Sequence, residues 1–324
     1  MQAFMTSGNL SSPQRALHEI ALWLRDQGYD FVTVTPETHR RVRAQRGDML
    51  AKSLRDVFGW NMNFSNEFLP PEVLTRLRQA HAITMLEGSK SQSRIRFACF
   101  DGLPYVHSAY PTTESDAVFC GPDTFRFVSL VGREIQRCPN VSRIVDVGCG
   151  AGAGGLLAAR WTEQLTGLAP HVQLVDVNSR ALEMAKVNAA TFGCTNVTIQ
   201  LSDLYSQIQS EVDLIVANPP YLVDDDERLY RHGGGRFGSA LSERIVKEGL
   251  PLLAPKGKLV LYTGSAIEDG KDVFKEAALR LMDHSHYDVV YRELDPDVFG
   301  EELDRTVYHG VERIAAVELV ITRN

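Results

Sequence analysis

The sequence predicts an α/β protein, with a parallel sheet covered by helices on both faces over residues 113–324 and a mainly helical segment with a β-hairpin over residues 1–112. Three observations carry this reading. From Gly121 almost to the end, short β-branched apolar runs alternate with amphipathic stretches of helix length, the signature of a sheet with helices on both sides. Ile144–Val147 and Val212–Ala217 are strongly apolar, as strands buried on both faces are. Each is followed at once by a glycine- or proline-rich turn, so special backbone sits at strand carboxyl ends, where open α/β sheets bind ligands.

At 324 residues the chain has room for two domains, and 44% apolar with 23% charged residues is ordinary for a globular protein. No apolar run approaches the roughly 18 to 20 residues that a membrane helix needs. Met1 to Leu10 lacks a charged stretch followed by an apolar one, so a cytoplasmic protein with no membrane partner is expected. Cys99, Cys120, Cys138, Cys149 and Cys194 are scattered and never form a Cys-x-x-Cys pair, which argues for free thiols and against a disulfide framework or zinc site. Residues 1–140 hold 16 Lys+Arg against 14 Asp+Glu, and residues 141–324 hold 18 against 27. The second part is therefore acidic and offers no general electrostatic case for nucleic acid.

Taken in order, Ser12-Pro13 starts a helix in which Leu17, Ile20, Ala21 and Leu24 recur at helical spacing before Gly28. Thr35-Pro36 opens a second helix, where His39, Arg40, Arg41, Arg43 and Arg46 spread around most of the circumference before Gly47. Such a helix can track phosphates; the competing reading is a solvated charged face. Leu50, Leu54, Val57 and Phe58 make a third apolar stripe, and Pro70-Pro71 opens a fourth helix through Leu74 and Leu77. Arg94–Phe100 alternates polar and apolar residues, Asp101-Gly102 is a turn and Leu103–Ala109 returns, which predicts a hairpin. Helices plus a hairpin suit a winged-helix-like module that binds substrate or caps the second domain. Gly121-Pro122-Asp123-Thr124 then leads into a helix from Phe125, with Asp123 or Thr124 as its cap.

Ile144-Val145-Asp146-Val147 runs into Gly148-Cys149-Gly150-Ala151-Gly152-Ala153-Gly154-Gly155 and a helix from Leu156 to Gln164. Glycines at such a junction let a ligand reach backbone N–H groups at a helix N-terminus. Gly150, Gly152 and Gly155 satisfy Gly-x-Gly-x-x-Gly, so an NAD-dependent oxidoreductase is one candidate. Three aspartates point instead to S-adenosylmethionine. Asp146 places a carboxylate where it can meet the ammonium of an amino-acid-bearing cofactor and would repel a pyrophosphate. Asp176, closing the strand Val172–Val175, can accept from ribose hydroxyls beside Val177. Asp203, after the strand Val197–Leu201, can accept from an adenine amino group with Leu204 against the ring. For each aspartate alone, a helix cap or turn is the competing role.

Asn218-Pro219-Pro220-Tyr221 ends the strand Val212–Ala217. Two prolines fix an extended backbone with no spare donors, so this loop can only accept hydrogen bonds. The Asn218 side-chain carbonyl and the Pro219 backbone carbonyl can converge on one NH2 group, while Tyr221 offers a ring to a flat partner. That combination suits a planar amide or an exocyclic amino group; a rigid turn is the competing reading. Leu222–Gly238 is long, polar and glycine-rich, suited to a lid or a substrate contact, or else to a solvated loop. Its run Asp224–Glu227 lacks separated ligands to complete a site, and no metal is expected. Asp295–Gly310, with Asp297, Phe299, Glu301 and Glu302, is placed to shape the mouth of the site.

Together, Asp146-Val147-Gly148-Cys149-Gly150-Ala151-Gly152, Asp176, Asp203 and Asn218–Tyr221 resemble the class I S-adenosylmethionine-dependent methyltransferases of the Asn-Pro-Pro-Tyr group, over about residues 113–324. That group includes HemK-type release-factor glutamine methyltransferases and enzymes that methylate exocyclic amino groups of adenine or guanine in DNA and RNA. The resemblance implies a Rossmann-like seven-stranded sheet, mostly parallel with an antiparallel last strand, and Lys258–Tyr262, Tyr287–Leu294 and Val311–Thr322 supply its last three strands. It also implies S-adenosyl-L-methionine as cofactor and N-methyl transfer to a macromolecule of the translation machinery, a protein glutamine or an RNA base. Two stretches depart from HemK-type enzymes, which usually carry Pro-Arg-Pro-x-Thr-Glu where this chain has Cys120-Gly121-Pro122-Asp123-Thr124-Phe125. Tyr230–Gly238 matches the family's glycine-containing segment only loosely. These departures leave the acceptor open between protein and RNA, and a catalytically inactive S-adenosylmethionine-binding or RNA-binding protein of the same fold is the alternative.

Overall fold

A computed structural model describes residues 10–324; the opening stretch read above for a leader lies outside them, save Leu10. Helix α1 (Ser12–Asp26) begins with a capping box, Ser11 accepting from the Gln14 N–H and Gln14 returning to the Ser11 N–H. It buries Ile20, Ala21 and Leu24. Helix α2 (Pro36–Arg46) is capped by Thr35 and buries only His39. Its Arg40 and Arg41 pair with Glu37, and Arg46 pairs with Asp56. Then come α3 (Leu54–Phe58), β1 (Phe64–Ser65), α4 (Pro71–Gln79), β2 (Ile83–Leu86) and β3 (Lys90–Ser93), with the strands in the order β1-β3-β2. This small sheet was not expected: β1 has two residues and β3 reads Lys-Ser-Gln-Ser, so neither shows alternation. Strands β4 (Ile95–Phe100) and β5 (Leu103–Ser108) form the expected hairpin about Asp101-Gly102.

The remainder runs α5 (Pro122–Arg137), β6 (Arg143–Val147), α6 (Ala153–Thr166), β7 (His171–Asp176), α7 (Ser179–Phe192), β8 (Val197–Leu201), β9 (Val212–Ala217), α8 (Ala240–Gly249), β10 (Leu253–Glu268), β11 (Lys271–Asp272), α9 (Val273–Arg280), β12 (Tyr287–Asp295) and β13 (Val311–Arg323). The large sheet has the order β12-β13-β10-β9-β6-β7-β8, with β11 appended to β10. Strands β10, β9, β6, β7 and β8 are parallel, and β13 is antiparallel to both β10 and β12. The seven-stranded, mostly parallel arrangement with an antiparallel last strand is thus the observed one. Strand order reverses between β6 and β9, and their carboxyl ends carry the glycine turn and Asn218–Tyr221. A crevice at such a switch point is where open α/β sheets place ligands.

Each central strand divides its residues by parity between two cores. Ile144, Leu214 and Val216 face one, and Val145, Val147, Ile215 and Ala217 face the other. The first core continues without a break into Ile20, Leu24, Phe58 and Phe97 of the N-terminal part. The hairpin lies inside it, packed on α1 and α7, with all its strand residues buried except Leu103 and only the turn Asp101-Gly102 exposed. It is therefore not the projecting wing that a winged-helix module would have, because its apolar residues face both ways. Among the described residues, no helix is long and apolar enough to cross a membrane, and the five cysteines are free.

Candidate active site

A cavity of about 310 Å³ opens at the switch point. Asp146, Gly148, Cys149, Gly150, Asp176, Val177, Asp203, Leu204, Asn218, Pro219, Pro220 and Tyr221 all line it. Gly152 does not. It serves as N-cap of α6 at φ +91°, donates to the Cys149 carbonyl at 2.8 Å and is hemmed in by Leu156 and Leu174. Its role is to turn the chain into the helix, which the spacing of glycines alone could not separate from ligand contact.

On the cofactor side, Gly148 and Gly150 have φ of +64° and +54°, and a Cβ built on either meets nothing within 4 Å. Backbone is therefore approachable there. Asp146 is buried, and its Oδ2 accepts from the Gly155 N–H at 2.7 Å. No donor among the described residues meets its Oδ1. Burial pushes this carboxyl up to about 7, with Asp176 adding to the rise. A Cβ at Gly155 would fall 2.7 Å from Leu174 and 2.9 Å from Asp146, so the third glycine makes room for the carboxylate. A pyrophosphate at that helix start would face Asp146, which removes the dinucleotide reading.

Asp176 accepts from the N–H groups of Gly150 and Asn178, each at 2.8 Å, and burial raises its carboxyl. Its remaining lone pairs suit ribose hydroxyls. Leu204, at φ +45°, is held by the Ser202 hydroxyl bonding to its carbonyl at 2.8 Å and forms an apolar wall. Asp203 is largely exposed and contacts Arg244 at 3.4 Å. A carboxylate at the cavity wall with one oxygen unclaimed by the described donors, open glycine backbone and an apolar wall fit an amino acid joined to a nucleoside. Cys149 also lines the cavity, but burial pushes its thiol far up and leaves it inert.

On the acceptor side, Asn218 is half-buried and its side-chain amide bonds to none of the described residues. Tyr221 is 7% exposed. Its ring rests directly on Gly264, where a Cβ would overlap it, and has Phe299 and Tyr262 edge-on with centroids 6.0 and 6.4 Å away. The expected free stacking ring is thus a packed wall, because the backbone opposite it is glycine. Its hydroxyl donates to Asp123 Oδ2 at 2.8 Å, and the Tyr262 hydroxyl donates to Asp123 Oδ1 at 2.7 Å. Asp123 does not cap α5. Gly121 is the N-cap, its N–H donating to Thr124 Oγ1 at 3.2 Å. Of the two candidates Thr124 is the one that closes the helix start, and Asp123 was the natural alternative, since Asp near a helix start usually bonds backbone.

The loop Leu222–Gly238 is folded rather than solvated. The Gly233 N–H donates to the Leu222 carbonyl at 2.8 Å, and buried Asp224 takes Arg228 and Arg231. Arginine bonding holds the Asp224 carboxyl down at about 2. Arg305 of the insertion Asp295–Gly310 bonds the Val223 carbonyl and Asp225, and Glu302 takes Arg231 and Arg305. Phe299 from this insertion lines the cavity. Among the described residues no group of three or more His, Cys, Asp or Glu could hold a metal ion.

Several lining residues carried no recognisable signal. Tyr105 comes from the N-terminal hairpin, and Ala117, Val118 and Phe119 come from the connection between the two parts. That connection is tied down on both sides of the cavity. Asn178 Nδ2 donates to the Asp116 carbonyl at 2.9 Å, and Tyr230 Oη donates to the Thr112 carbonyl at 2.8 Å. Phe119 stacks on Tyr230 with centroids 5.5 Å apart. Asn188 of α7 locks the hairpin to the glycine turn, accepting from the Val106 N–H and donating to the Val106 and Ala151 carbonyls. The N-terminal part therefore reaches the site.

The methyltransferase small domain family matches residues 130–278. The chain is 30% identical over 243 residues to the release factor glutamine methyltransferase of Bacillus cereus, an alignment covering 70% of this chain and 78% of that one. It is 30% identical over 183 residues to the release factor glutamine methyltransferase of Bacillus anthracis, covering 52% of this chain and 59% of that one. To the ribosomal protein uL3 glutamine methyltransferase of Bradyrhizobium diazoefficiens it is 29% identical over 164 residues, covering 47% of this chain and 50% of that one. It thus spans from half to just under four fifths of the length of these curated relatives. A relative matched at 30% identity over more than two thirds of both chains agrees with the switch-point geometry, and the chain belongs to the class I S-adenosylmethionine-dependent methyltransferases of the Asn-Pro-Pro-Tyr group, with S-adenosylmethionine as its cofactor.

Proposed function

We propose that the protein is an N-methyltransferase acting on the side-chain amide of a glutamine in a protein of the translation machinery, and that it works in the cytoplasm. The observation that carries the choice of acceptor is the fate of the arginines at the mouth. Arg228, Arg231 and Arg305 are turned onto Asp224 and Glu302, both buried. Among the described residues that line it, the slot beside Asn218 is aromatic and holds no unpaired cation for a phosphate. The glutamine specificity in the names of the relatives supports the same choice. RNA is favoured only by α2, where Arg40 and Arg41 are exposed and their solvent-screened pairs with Glu37 hold them weakly.

Bound S-adenosylmethionine supplies an electrophilic sulfonium methyl. An amide nitrogen is a poor nucleophile because its lone pair is delocalised, and attack moves positive charge onto it. The Asn218 and Pro219 carbonyls accept from its NH2 group, hold the nitrogen in line and stabilise that charge as it develops. Proximity contributes several kcal/mol more. Asp146 holds the ammonium end of the cofactor, Asp176 its ribose hydroxyls, and Asp203 with Leu204 its adenine. The nitrogen loses its proton after transfer, so the chain needs no general base.

The test is transfer of radiolabelled methyl from S-adenosylmethionine into a cell extract, which is then divided between protease and nuclease. Label lost to protease and recovered as methylglutamine supports the proposal. Label lost to nuclease assigns an RNA amino group instead, and tight cofactor binding without label assigns the inactive alternative.

A further inference from the structure

We infer that Asp123 is a positioning residue for methyl transfer, fixing the Tyr221 ring and through it the acceptor slot beside Asn218. The inference rests on the methyl-transfer reading above. Asp123 lines the cavity, and its carboxylate bonds no backbone N–H of its own helix, whose start is closed by Gly121 and Thr124. Instead Oδ2 takes the Tyr221 hydroxyl at 2.8 Å, and Oδ1 takes the Tyr262 hydroxyl at 2.7 Å and Arg126 at 3.0 Å.

That carboxylate is the acceptor of the Tyr221 hydroxyl, with the Tyr262 hydroxyl bonded to the same group and lying beside it. The rest of the ring is held by packing alone, on Gly264 below and against Phe299 and Tyr262 at its edges. A buried phenol without its acceptor is costly and turns to find another, and Tyr221 directly follows the two prolines whose carbonyls border the slot. Arg126 continues the chain of contacts to Asp295 at 2.9 Å, where the insertion bearing Phe299 begins. One carboxylate therefore joins α5, the Asn-Pro-Pro-Tyr loop, β10 and the insertion, and of these α5, the loop and the insertion line the cavity.

The experiment compares the full-length wild type with Asp123→Ala, Asp123→Asn, Tyr221→Phe and the Asp123→Ala/Tyr221→Phe double variant. Each is assayed for initial rate of labelled methyl transfer into the protease-sensitive fraction of a cell extract, and for S-adenosylmethionine affinity by calorimetry. Asp123→Ala is expected to lower the rate on the order of 10- to 100-fold while cofactor affinity stays within about twofold. Asp123→Asn, which keeps an acceptor oxygen, should regain most of the rate. The double variant should be no slower than the slower single one, since residues acting through one bond do not add. Effects that multiply, an Asp123→Ala rate within about twofold of wild type, or equal loss of rate and cofactor affinity would overturn the inference. Should Asp123→Ala not fold, Asp123→Asn and Tyr221→Phe decide it, because unchanged rates in both also overturn it. A wild-type protein that labels nothing refutes the methyl-transfer reading itself, an outcome distinct from active variants.

Discussion

Lowering the pH should weaken S-adenosylmethionine binding through one group, Asp146. In the free protein its carboxyl is pushed up to about 7 by burial, so half the molecules carry a proton there at neutral pH. The ammonium end of the cofactor needs the ionised form. Each unit below 7 therefore costs about 1.4 kcal/mol, or tenfold in Kd. Between pH 7.5 and 5.5 the affinity should fall roughly 20-fold, while above about 8 the amino group of the cofactor begins to lose its own proton. Affinity should thus peak between about pH 7 and 8. Calorimetry in buffers of different ionisation enthalpy measures this directly, since binding at pH 7 should release about half a proton from the protein. Asp146→Asn should bind weakly and lose the acid limb. The same raised carboxyl has the opposite sign for stability: the folded protein holds the proton between the ordinary carboxylate range and about 7, and its contribution is lost as pH rises through 7. Asp146→Asn should therefore be more stable than wild type at pH 8 without cofactor. Affinity that is flat from pH 5.5 to 7.5, with no proton released, would refute the placement of the ammonium against Asp146.

Asn218→Ala should lower the rate of methyl transfer by about 10²- to 10³-fold with cofactor affinity within about threefold; near-wild-type transfer in the labelling assay would rule out this loop as the catalytic one. Gly233→Ala places a Cβ 2.6 Å from the Pro220 carbonyl, so it should cost about 1–3 kcal/mol in urea unfolding and also slow transfer, whereas loss of neither would mean the loop does not brace Pro220. His39 is pulled down to about 3 by burial beside Arg96, and His107 well below its ordinary value by burial. Each takes up a proton more readily unfolded, so its stabilisation is whole above about pH 6.5 and is lost as pH falls below that. The acid limb of stability should steepen by up to about 1.4 kcal/mol per pH unit for each histidine, and His39→Gln/His107→Gln should flatten it in urea titrations at pH 7.5, 6 and 5.

The parallel sheet was legible because each strand announces itself locally, by a β-branched run and the turn that ends it. That Asp146, Asp176 and Asp203 line one cavity was legible for the same reason: each stands at or near a strand end, and strand ends converge whatever the loops do. The small sheet of β1, β2 and β3 was not legible, since strands of two to four residues carry too few positions for alternation to register. Asn188 gave no signal at all, because one polar residue in a helix looks the same whether it faces water or clasps a buried hairpin.

Asp123 is the more instructive miss. Gly-Pro-Asp-Thr before an apolar stretch is good helix-start chemistry, and the helix does start there, with Gly121 and Thr124 closing it. What local pattern cannot tell is which residue of such a group is spare. The signal that could have found it was positional: the stretch Cys120–Phe125 stands where HemK-type enzymes carry a distinctive motif, so a departure there bears on the site more than on capping. The acceptor side as a whole follows this logic. Tyr105, Phe119, Tyr230 and Phe299 come from four separate segments, and only their place in the fold, not in sequence, makes them walls of one cavity with Asn218. Cofactor recognition can be read from strand ends, whereas acceptor recognition depends on long-range closure of loops around Asn218–Tyr221, which is why the choice between a glutamine and a base becomes arguable only once Arg228 and Arg231 are seen to face Asp224 and Glu302.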